Sequence, residues 1–231
     1  MPDRPEFRPP QRLALFDLDH TLLSGDSDVL WCEFLLAQGA LDPSWRERCA
    51  AAAAGYTAGT TAPQAYCDFH ASTLAGRSAA ELLPLRRRFL DEQVLPRIPP
   101  DAHALLRRHR DAGDRLVLTT ATNRVVSELT ALALGIDDYL GTELEIVAGR
   151  YTGRTRGVLN MRTGKVERLR AWLHEQALPD TTLRQAASFY SDSINDLPLL
   201  SAVRWPVVVD PDPRLESAAL RKGWKVLRLR R

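Results

Sequence analysis

Short apolar runs and amphipathic segments alternate along this chain of 231 residues. The first run, Leu13 to Phe16, is continuously apolar, which is typical of a strand buried on both faces. From residue 24 to residue 99, apolar residues recur three and four apart, and this spacing predicts several amphipathic helices and no strand. A capping box, Ser78 with Glu81, begins one of these helices.

The rest of the chain alternates between strand and helix patterns. The predicted strands are 116–119, 144–147 with 151–152 as a hairpin, 187–190, 206–209 and 224–227. The predicted helices are 101–112, 123–134, 165–176, 197–202 and 214–222. Because strands that alternate with helices form a parallel sheet covered on both faces, we predict an α/β fold with a doubly wound parallel sheet.

The helical region interrupts this α/β part after its first strand. We therefore predict a core of residues 12–23 and 100–231 and a helical cap of residues 24–99. Ligands of open α/β sheets bind at the carboxyl ends of the strands. A cap that leaves from the end of the first strand would lie over that binding site.

Composition narrows the class of protein. Apolar residues make up 45% of the chain, and 31 basic against 29 acidic residues give a net charge of +2. These values exclude a disordered chain and argue against nucleic acid as a partner. No run approaches the roughly 20 apolar residues that span a bilayer, so no membrane partner is predicted. The oligomeric state is left open.

The cysteines and the N-terminus bear on the compartment. Cys32, Cys49 and Cys67 form no CxxC pair, and their odd number leaves a free thiol. The first residues lack the apolar stretch of a signal peptide. Both features are typical of a reducing environment, and we predict a cytoplasmic protein.

Asp17 and Asp19 stand two residues apart, directly after the first strand. On an extended chain, this spacing lets both side chains face one crevice. Two crowded carboxylates either share a proton or bind a cation, and either state serves catalysis. A polar loop with a helix cap is the alternative interpretation of the pair.

Two further positions offer groups for binding an anion. Thr120 and Ala121 end the strand that begins at Leu116, just before a predicted helix whose backbone N–H groups could bind an anion. Lys165 begins another helix, and only three of the 31 basic residues are lysines. A compact ammonium can neutralise a phosphate oxygen in a way that a forked guanidinium cannot. A plain N-cap and an exposed lysine are the alternatives.

A second acidic segment follows the strand 187–190. It contains Asp192 and Asp196, with Asn195 between them. Together with the first pair of aspartates, these residues form an all-oxygen set without histidine or cysteine. Hard oxygen ligands suit Mg²⁺ better than Zn²⁺. A capped loop before the next helix is the alternative.

These motifs resemble those of the haloacid dehalogenase-like phosphatase superfamily. The matching segments, in the family's order, are Phe16-Asp17-Leu18-Asp19-His20-Thr21-Leu22, Thr120, Lys165 and Ser191-Asp192-Ser193-Ile194-Asn195-Asp196. The cap position resembles the phosphoserine-phosphatase-like branch, which includes phosphoserine and histidinol phosphatases. The chain departs from it where phosphoserine phosphatases usually have Ser-Gly-Gly and Gly-Asp-Gly; here the residues are 120–122 and 191–193.

The resemblance implies a Rossmann-like core and a role for each matching residue. Asp17 would be the nucleophile that forms an aspartyl-phosphate, and Asp19 would be the general acid and base. Mg²⁺ would be held by Asp17, the Asp19 carbonyl and Asp192, with Asn195 and Asp196 in support. Thr120, Ala121 and Lys165 would hold the phosphoryl oxygens.

The resemblance also implies a substrate class, a small phosphorylated metabolite. Asp26 stands nine residues after Asp17, where phosphoserine phosphatases carry an acidic residue that contacts the substrate amine. Asp28 is a second candidate, and a helix cap near Val29 is the alternative for both. Histidinol phosphate is our first expectation and phosphoserine our second. A phosphotransferase or mutase that passes the phosphoryl group to an acceptor other than water is the alternative activity.

Overall fold

The computed structural model describes residues 12–136 and 138–229. Residue 137 and the last two residues of the predicted core, 230 and 231, lie outside the described residues. The strands are β1 Leu13–Phe16, β2 Arg115–Asn123, β3 Asp138–Val147, β4 Arg150–Arg156, β5 Ala187–Ser191, β6 Trp205–Val209 and β7 Lys225–Leu227.

Helices occupy both the predicted cap and the predicted core. The cap contains α1 Ser27–Ala37, α2 Trp45–Thr57, α3 Pro63–Ser72 and α4 Ala79–Phe89, then a π-helical turn Leu90–Val94 and a 3-10 turn Leu95–Arg97. The core contains α5 Pro100–Asp111, α6 Arg124–Ala133, α7 Thr163–Glu175, α8 Thr182–Ala186, a 3-10 turn Ile194–Asp196, α9 Leu197–Leu200 and α10 Pro213–Lys222. None of the helices in the described ranges is long and apolar enough to cross a bilayer.

The strands form one sheet in the order β4-β3-β2-β1-β5-β6-β7. All neighbours are parallel except β3 and β4, which pair antiparallel at one edge. The predicted α/β class and doubly wound parallel sheet are therefore confirmed. Because β1 lies between β2 and β5, the segments that follow these three strands meet at the carboxyl edge of the sheet.

Three strands, β2, β3 and β4, are each several residues longer than the hydrophobic pattern predicts. The β2 strand continues past its last leucine through Thr119 to Asn123, and Thr119 and Thr120 are fully buried. The β3 strand begins at Asp138, pairs first with β2 and then, after a register shift, with β4. Buried threonines and a strand that changes partners do not give a continuous apolar run, so the pattern revealed only part of each strand.

The helical insertion packs onto the core. Trp31 and Phe34 of α1 and Phe89 of α4 belong to the same hydrophobic cluster as Phe16 of β1. The Trp31 and Phe89 rings meet edge to face with centroids 5.1 Å apart, a favourable aromatic geometry. The capping box at Ser78 is present as predicted. The division into a core and a cap at residues 24 and 99 stays a prediction.

Asn160 ties the strands at the carboxyl edge to the segment that precedes α7. Its side-chain Nδ2 lies 3.0 Å from Thr119 Oγ1, 2.9 Å from the Thr120 carbonyl and 2.8 Å from the Leu140 carbonyl. The residue is fully buried. Because buried polar groups need partners, this one amide satisfies acceptors on both β2 and β3 and fixes the start of the segment that leads to Lys165.

We expect Asn160→Ala to lower the free energy of unfolding by about 2–4 kcal/mol, since it leaves buried carbonyl groups without a donor. Equilibrium urea unfolding of both proteins measures the change. Asp91→Asn, at an exposed position, is the control and should change the free energy of unfolding by less than about 0.5 kcal/mol. A loss below about 1 kcal/mol for Asn160→Ala would contradict this account.

Candidate active site

Asp17 lies immediately after β1, and Lys165 reaches it from the first turn of α7. The Lys165 Nζ is 2.8 Å from Asp17 Oδ1 and 2.7 Å from Asp196 Oδ2. Gly164 makes this approach possible, because a Cβ atom there would lie only 2.1 Å from the Leu159 carbonyl oxygen. The structure therefore brings together Asp17, Lys165 and Asp196 as the sequence predicted.

Burial controls the electrostatics of this ion pair. The side chain of Lys165 is only 3% exposed and that of Asp17 10%. Burial raises the pKa of Asp17 well above its usual range, Lys165 opposes that rise, and the neighbouring carboxylates of Asp196, Asp192 and Asp19 add to it. Burial alone would lower the pKa of Lys165, but Asp17 and Asp196 outweigh it and raise that pKa, so the ammonium stays charged.

Asp192 follows β5 and faces the first motif through Thr21. The Thr21 hydroxyl donates to Asp192 Oδ1 at 3.0 Å and accepts the Asp192 backbone N–H at 3.1 Å. Burial raises the pKa of Asp192 to about 7, against the bond from Thr21 and with the help of Asp196. Two hydrogen bonds therefore join the acidic segment after β1 to the acidic segment after β5.

Asp19 is held by residues that the sequence analysis did not select. Its Oδ1 accepts the backbone N–H of Ser27, at the start of α1, at 2.7 Å. Its Oδ2 accepts the Thr122 hydroxyl at 2.8 Å. The two hydroxyls of Ser27 and Thr122 lie 3.0 Å apart. The sequence does show a hydroxyl at Thr122, two residues after Thr120, but spacing alone could not indicate that it contacts Asp19.

Thr120 lies behind the cavity wall. Its hydroxyl accepts the backbone N–H of Thr122 at 3.2 Å, and the residue is fully buried. Ala121 and Thr122 line the cavity, whereas Thr120 is not among its lining residues in the described structure. A direct phosphate contact by the Thr120 hydroxyl therefore stays a prediction.

The cavity at this edge has a volume of about 220 Å³. Its wall combines the aspartates after β1 and β5 with residues from α2 and α3 of the cap. The lining residues that the sequence analysis missed are Ala53, Tyr56, Tyr66, Met161 and Thr122. A space of this size accommodates a small molecule, and α2 and α3 supply part of its wall.

Two tyrosines form the aromatic part of the cap wall. The rings of Tyr56 and Tyr66 stack with centroids 4.4 Å apart and planes 19° apart. The Asn195 side chain donates to the Tyr56 hydroxyl at 3.3 Å, so the residue predicted to support the metal contacts the cap. Helical spacing alone did not distinguish these tyrosines from core residues, because they come together from two different helices.

Asp26 and Asp28 also line the cavity. Asp26 caps α1, with its Oδ1 accepting the Val29 N–H at 3.0 Å, so the helix-cap interpretation is correct and the residue still faces the cavity. Burial, then Asp19 and Asp28, raise the pKa of Asp26 to about 6. Burial, then Asp19, raise the pKa of Asp28 to about 8.

The residues predicted to hold a metal offer only oxygen atoms as ligands. The described residues contain no group of three or more histidine, cysteine, aspartate or glutamate side chains arranged to hold a metal. The predicted set needs only two carboxylates, Asp17 and Asp192, with the Asp19 carbonyl. That set suits Mg²⁺, which keeps several of its waters. Asp192 adds to the rise in the pKa of Asp17, so the two carboxylates repel each other, and a cation between them would offset that repulsion.

Comparison with known proteins places this geometry in a family. A histidinol-phosphatase from Neisseria meningitidis serogroup C is 38% identical over 221 residues, which cover 94% of this chain and 98% of that protein. The phosphoserine phosphatase SerB1 of Mycobacterium tuberculosis is 33% identical over 230 residues, covering 92% of this chain and 69% of the relative.

A solved structure of a protein with unknown function from Bordetella pertussis Tohama I superposes with a TM-score of 0.89 at 39% identity. It covers 94% of this chain and 98% of the other. The model of the haloacid dehalogenase-like hydrolase family matches residues 14–201, which span all four predicted motifs. With the aspartates at the ends of β1 and β5 and the lysine of α7 in one buried cluster, the chain belongs to the haloacid dehalogenase-like hydrolases.

Proposed function

We propose that this hydrolase is a phosphomonoesterase that acts on a small phosphorylated metabolite through an aspartyl-phosphate. The observation that carries the proposal is the buried contact between Asp17 and Lys165, with the Asp19 carboxyl group at the same cavity. A carboxylate nucleophile, a cation for the phosphoryl oxygens and a separate acid are the groups that phosphoryl transfer to a protein side chain requires.

In the first step, a carboxylate oxygen of Asp17 attacks phosphorus. The bond between phosphorus and the leaving oxygen breaks, and Asp19 gives its proton to that oxygen, so the alcohol leaves neutral. Lys165 and the backbone N–H groups near Ala121 hold the phosphoryl oxygens and offset the charge that develops. Burial of Lys165 favours this role, because few water molecules compete with it.

In the second step, Asp19 takes a proton from a water molecule that attacks phosphorus. The bond between phosphorus and the Asp17 oxygen breaks, and free phosphate and the original carboxylate result. One residue serves as acid and then as base, which microscopic reversibility allows when it keeps one position through both steps. Asp17, the Asp19 carbonyl and Asp192 would hold Mg²⁺, which when bound supplies charge neutralisation and orientation for the phosphoryl group.

Histidinol phosphate is the substrate that we favour, with phosphoserine second. Lys165 is the only lysine or arginine among the described residues that line the cavity, while Asp19, Asp26 and Asp28 line it close enough to repel one another. A cationic amine on the substrate would offset their mutual repulsion. The stacked Tyr56 and Tyr66 offer aromatic surface to an imidazole. The names of the two relatives agree with these two substrates.

We expect Asp17→Asn to reduce phosphate release by a factor on the order of 10³ or more, because the amide cannot attack phosphorus. The assay measures phosphate release from histidinol phosphate, phosphoserine and a sugar phosphate with Mg²⁺. Asp91→Asn, on the exposed surface of the cap, is the matched control and should keep full activity.

An active Asp17→Asn enzyme would contradict the proposal. Wild-type protein that transfers phosphate to an added alcohol without releasing it to water would favour the phosphotransferase instead.

Asp26→Asn separates charge from helix capping, since asparagine caps helices as well as aspartate does. We expect KM for histidinol phosphate to rise roughly tenfold, the effect of losing a hydrogen bond to a charged group. KM for a sugar phosphate should stay unchanged. Equal changes for both substrates would show that Asp26 does not recognise the amine.

Asp28→Asn should change the pH dependence of stability. The pKa of Asp28 in the folded protein is about 8 against an ordinary value of 3.8, so the folded state holds a proton that the unfolded state has lost. Wild-type stability therefore falls as pH rises through this window.

We expect Asp28→Asn to be more stable than the wild type at pH 8 by roughly 1–3 kcal/mol. This is less than the full pKa shift implies, because the Asp28 side chain is partly exposed to water. At pH 5, closer to the ordinary pKa of 3.8, the difference between the two proteins should be clearly smaller. Urea unfolding at both pH values tests this, with Asp91→Asn as the exposed control. An equal gain at both pH values would contradict the electrostatic explanation.

A further inference from the structure

The carboxyl group of Asp19 is held at both oxygens. The Ser27 backbone N–H lies 2.7 Å from Oδ1 and the Thr122 hydroxyl 2.8 Å from Oδ2. Ser27 and Thr122 are themselves buried. A carboxyl group with a partner on each oxygen cannot rotate about its Cβ–Cγ bond without breaking one of these contacts.

The hydroxyl of Thr122 has little left to offer a substrate. A hydroxyl has one proton to donate, and this one is directed to Asp19. The Ser27 hydroxyl at 3.0 Å takes a further position on the same oxygen. In this arrangement Thr122 cannot also donate to an anionic phosphoryl group, although it lines the cavity.

The contacts of Ser27 and Thr122 leave positions on Asp19 for the proton that it must give and take. When Asp19 is ionised, Ser27 can donate to Thr122 and Thr122 to Asp19. Each carboxyl oxygen has a second lone-pair position, so the proton for the leaving group can lie there while the Ser27 N–H and the Thr122 hydroxyl keep their contacts. The carboxyl group therefore keeps one orientation through both steps of the reaction.

We infer that Thr122 and Ser27 are positioning residues that fix the direction in which Asp19 delivers its proton to the leaving group. The inference rests on the proposed phosphatase activity. Thr122 lies near the end of β2, whereas Ser27 begins α1, the first helix of the insertion. The acid is thus oriented jointly by the sheet and by the helix that leads into the cap.

The leaving group distinguishes this role from a merely structural one. A phosphoserine or histidinol phosphate leaving group is an alkoxide that needs a proton, whereas nitrophenolate is a stable anion and leaves without one. The quantity to measure is kcat/KM, which excludes the later hydrolysis of the aspartyl-phosphate. We expect Thr122→Val to lower kcat/KM for the alkyl ester about ten- to a hundredfold and for 4-nitrophenyl phosphate by less than about threefold.

Three further variants complete the experiment. Thr122→Ser keeps the hydroxyl and should restore the wild-type ratio of the two kcat/KM values. Ser27→Ala keeps the backbone N–H to Asp19 and should shift the ratio in the same direction by a smaller factor. Thr130→Val removes a buried threonine hydroxyl from α6 and should leave the ratio unchanged. If Thr122→Val does not unfold cooperatively, Ser27→Ala decides.

Equal losses for both esters in Thr122→Val would mean that Thr122 serves the phosphoryl group or the fold, and would overturn the inference. Unchanged kinetics would overturn it as well. Wild-type protein that hydrolyses neither ester would contradict the proposed function and the inference together, so the two failures are distinguishable.

Discussion

The buried ammonium of Lys165 holds the carboxyl edge of the sheet together. It contacts Asp17 after β1 and Asp196 after β5, and it reaches them from α7. Ser191 donates a further bond to the same Asp196 oxygen at 2.8 Å. Without the cation, two carboxylates would face each other in a buried space, a situation that usually costs several kcal/mol. The same charge that stabilises the folded site is the one that a transferring phosphoryl group needs.

This one cation does not balance the site. Asp19, Asp26, Asp28 and Asp192 place four more carboxyl groups around the same cavity. Burial and mutual repulsion raise the pKa of Asp26, Asp28 and Asp192 above the usual range. This excess of carboxyl groups over cations favours positively charged ligands, such as the proposed hard cation near Asp17 and the proposed substrate amine near the cap. Binding and stability are therefore linked through the same carboxylates.

The sequence predicted what depends on order along the chain. Asp17 and Asp192 follow apolar runs, and a lysine is rare in this chain, so strand ends and Lys165 were recognisable. It did not predict contacts between distant segments. Ser27 and Thr122 are 95 positions apart in the sequence, so their contact could not be inferred from spacing. Tyr56 contacts Tyr66 only because α2 and α3 pack side by side. The first half of β3 was missed because its partner, not its own apolar pattern, makes it a strand.

The central position of β1 sets the order in which this protein can be completed during synthesis. Leu13 pairs with Arg115 on one side and with Ala187 on the other. Among the described strands, β1 is synthesised first, and both of its edges can be paired only after β2 and β5 have been synthesised. Contacts between residues so distant in sequence form slowly. Until they form, the apolar residues of β1 are exposed and can associate with other unfolded chains. The nascent chain thus carries Asp17, the proposed nucleophile, long before it carries Lys165 and the second acidic segment that contact it in the folded protein.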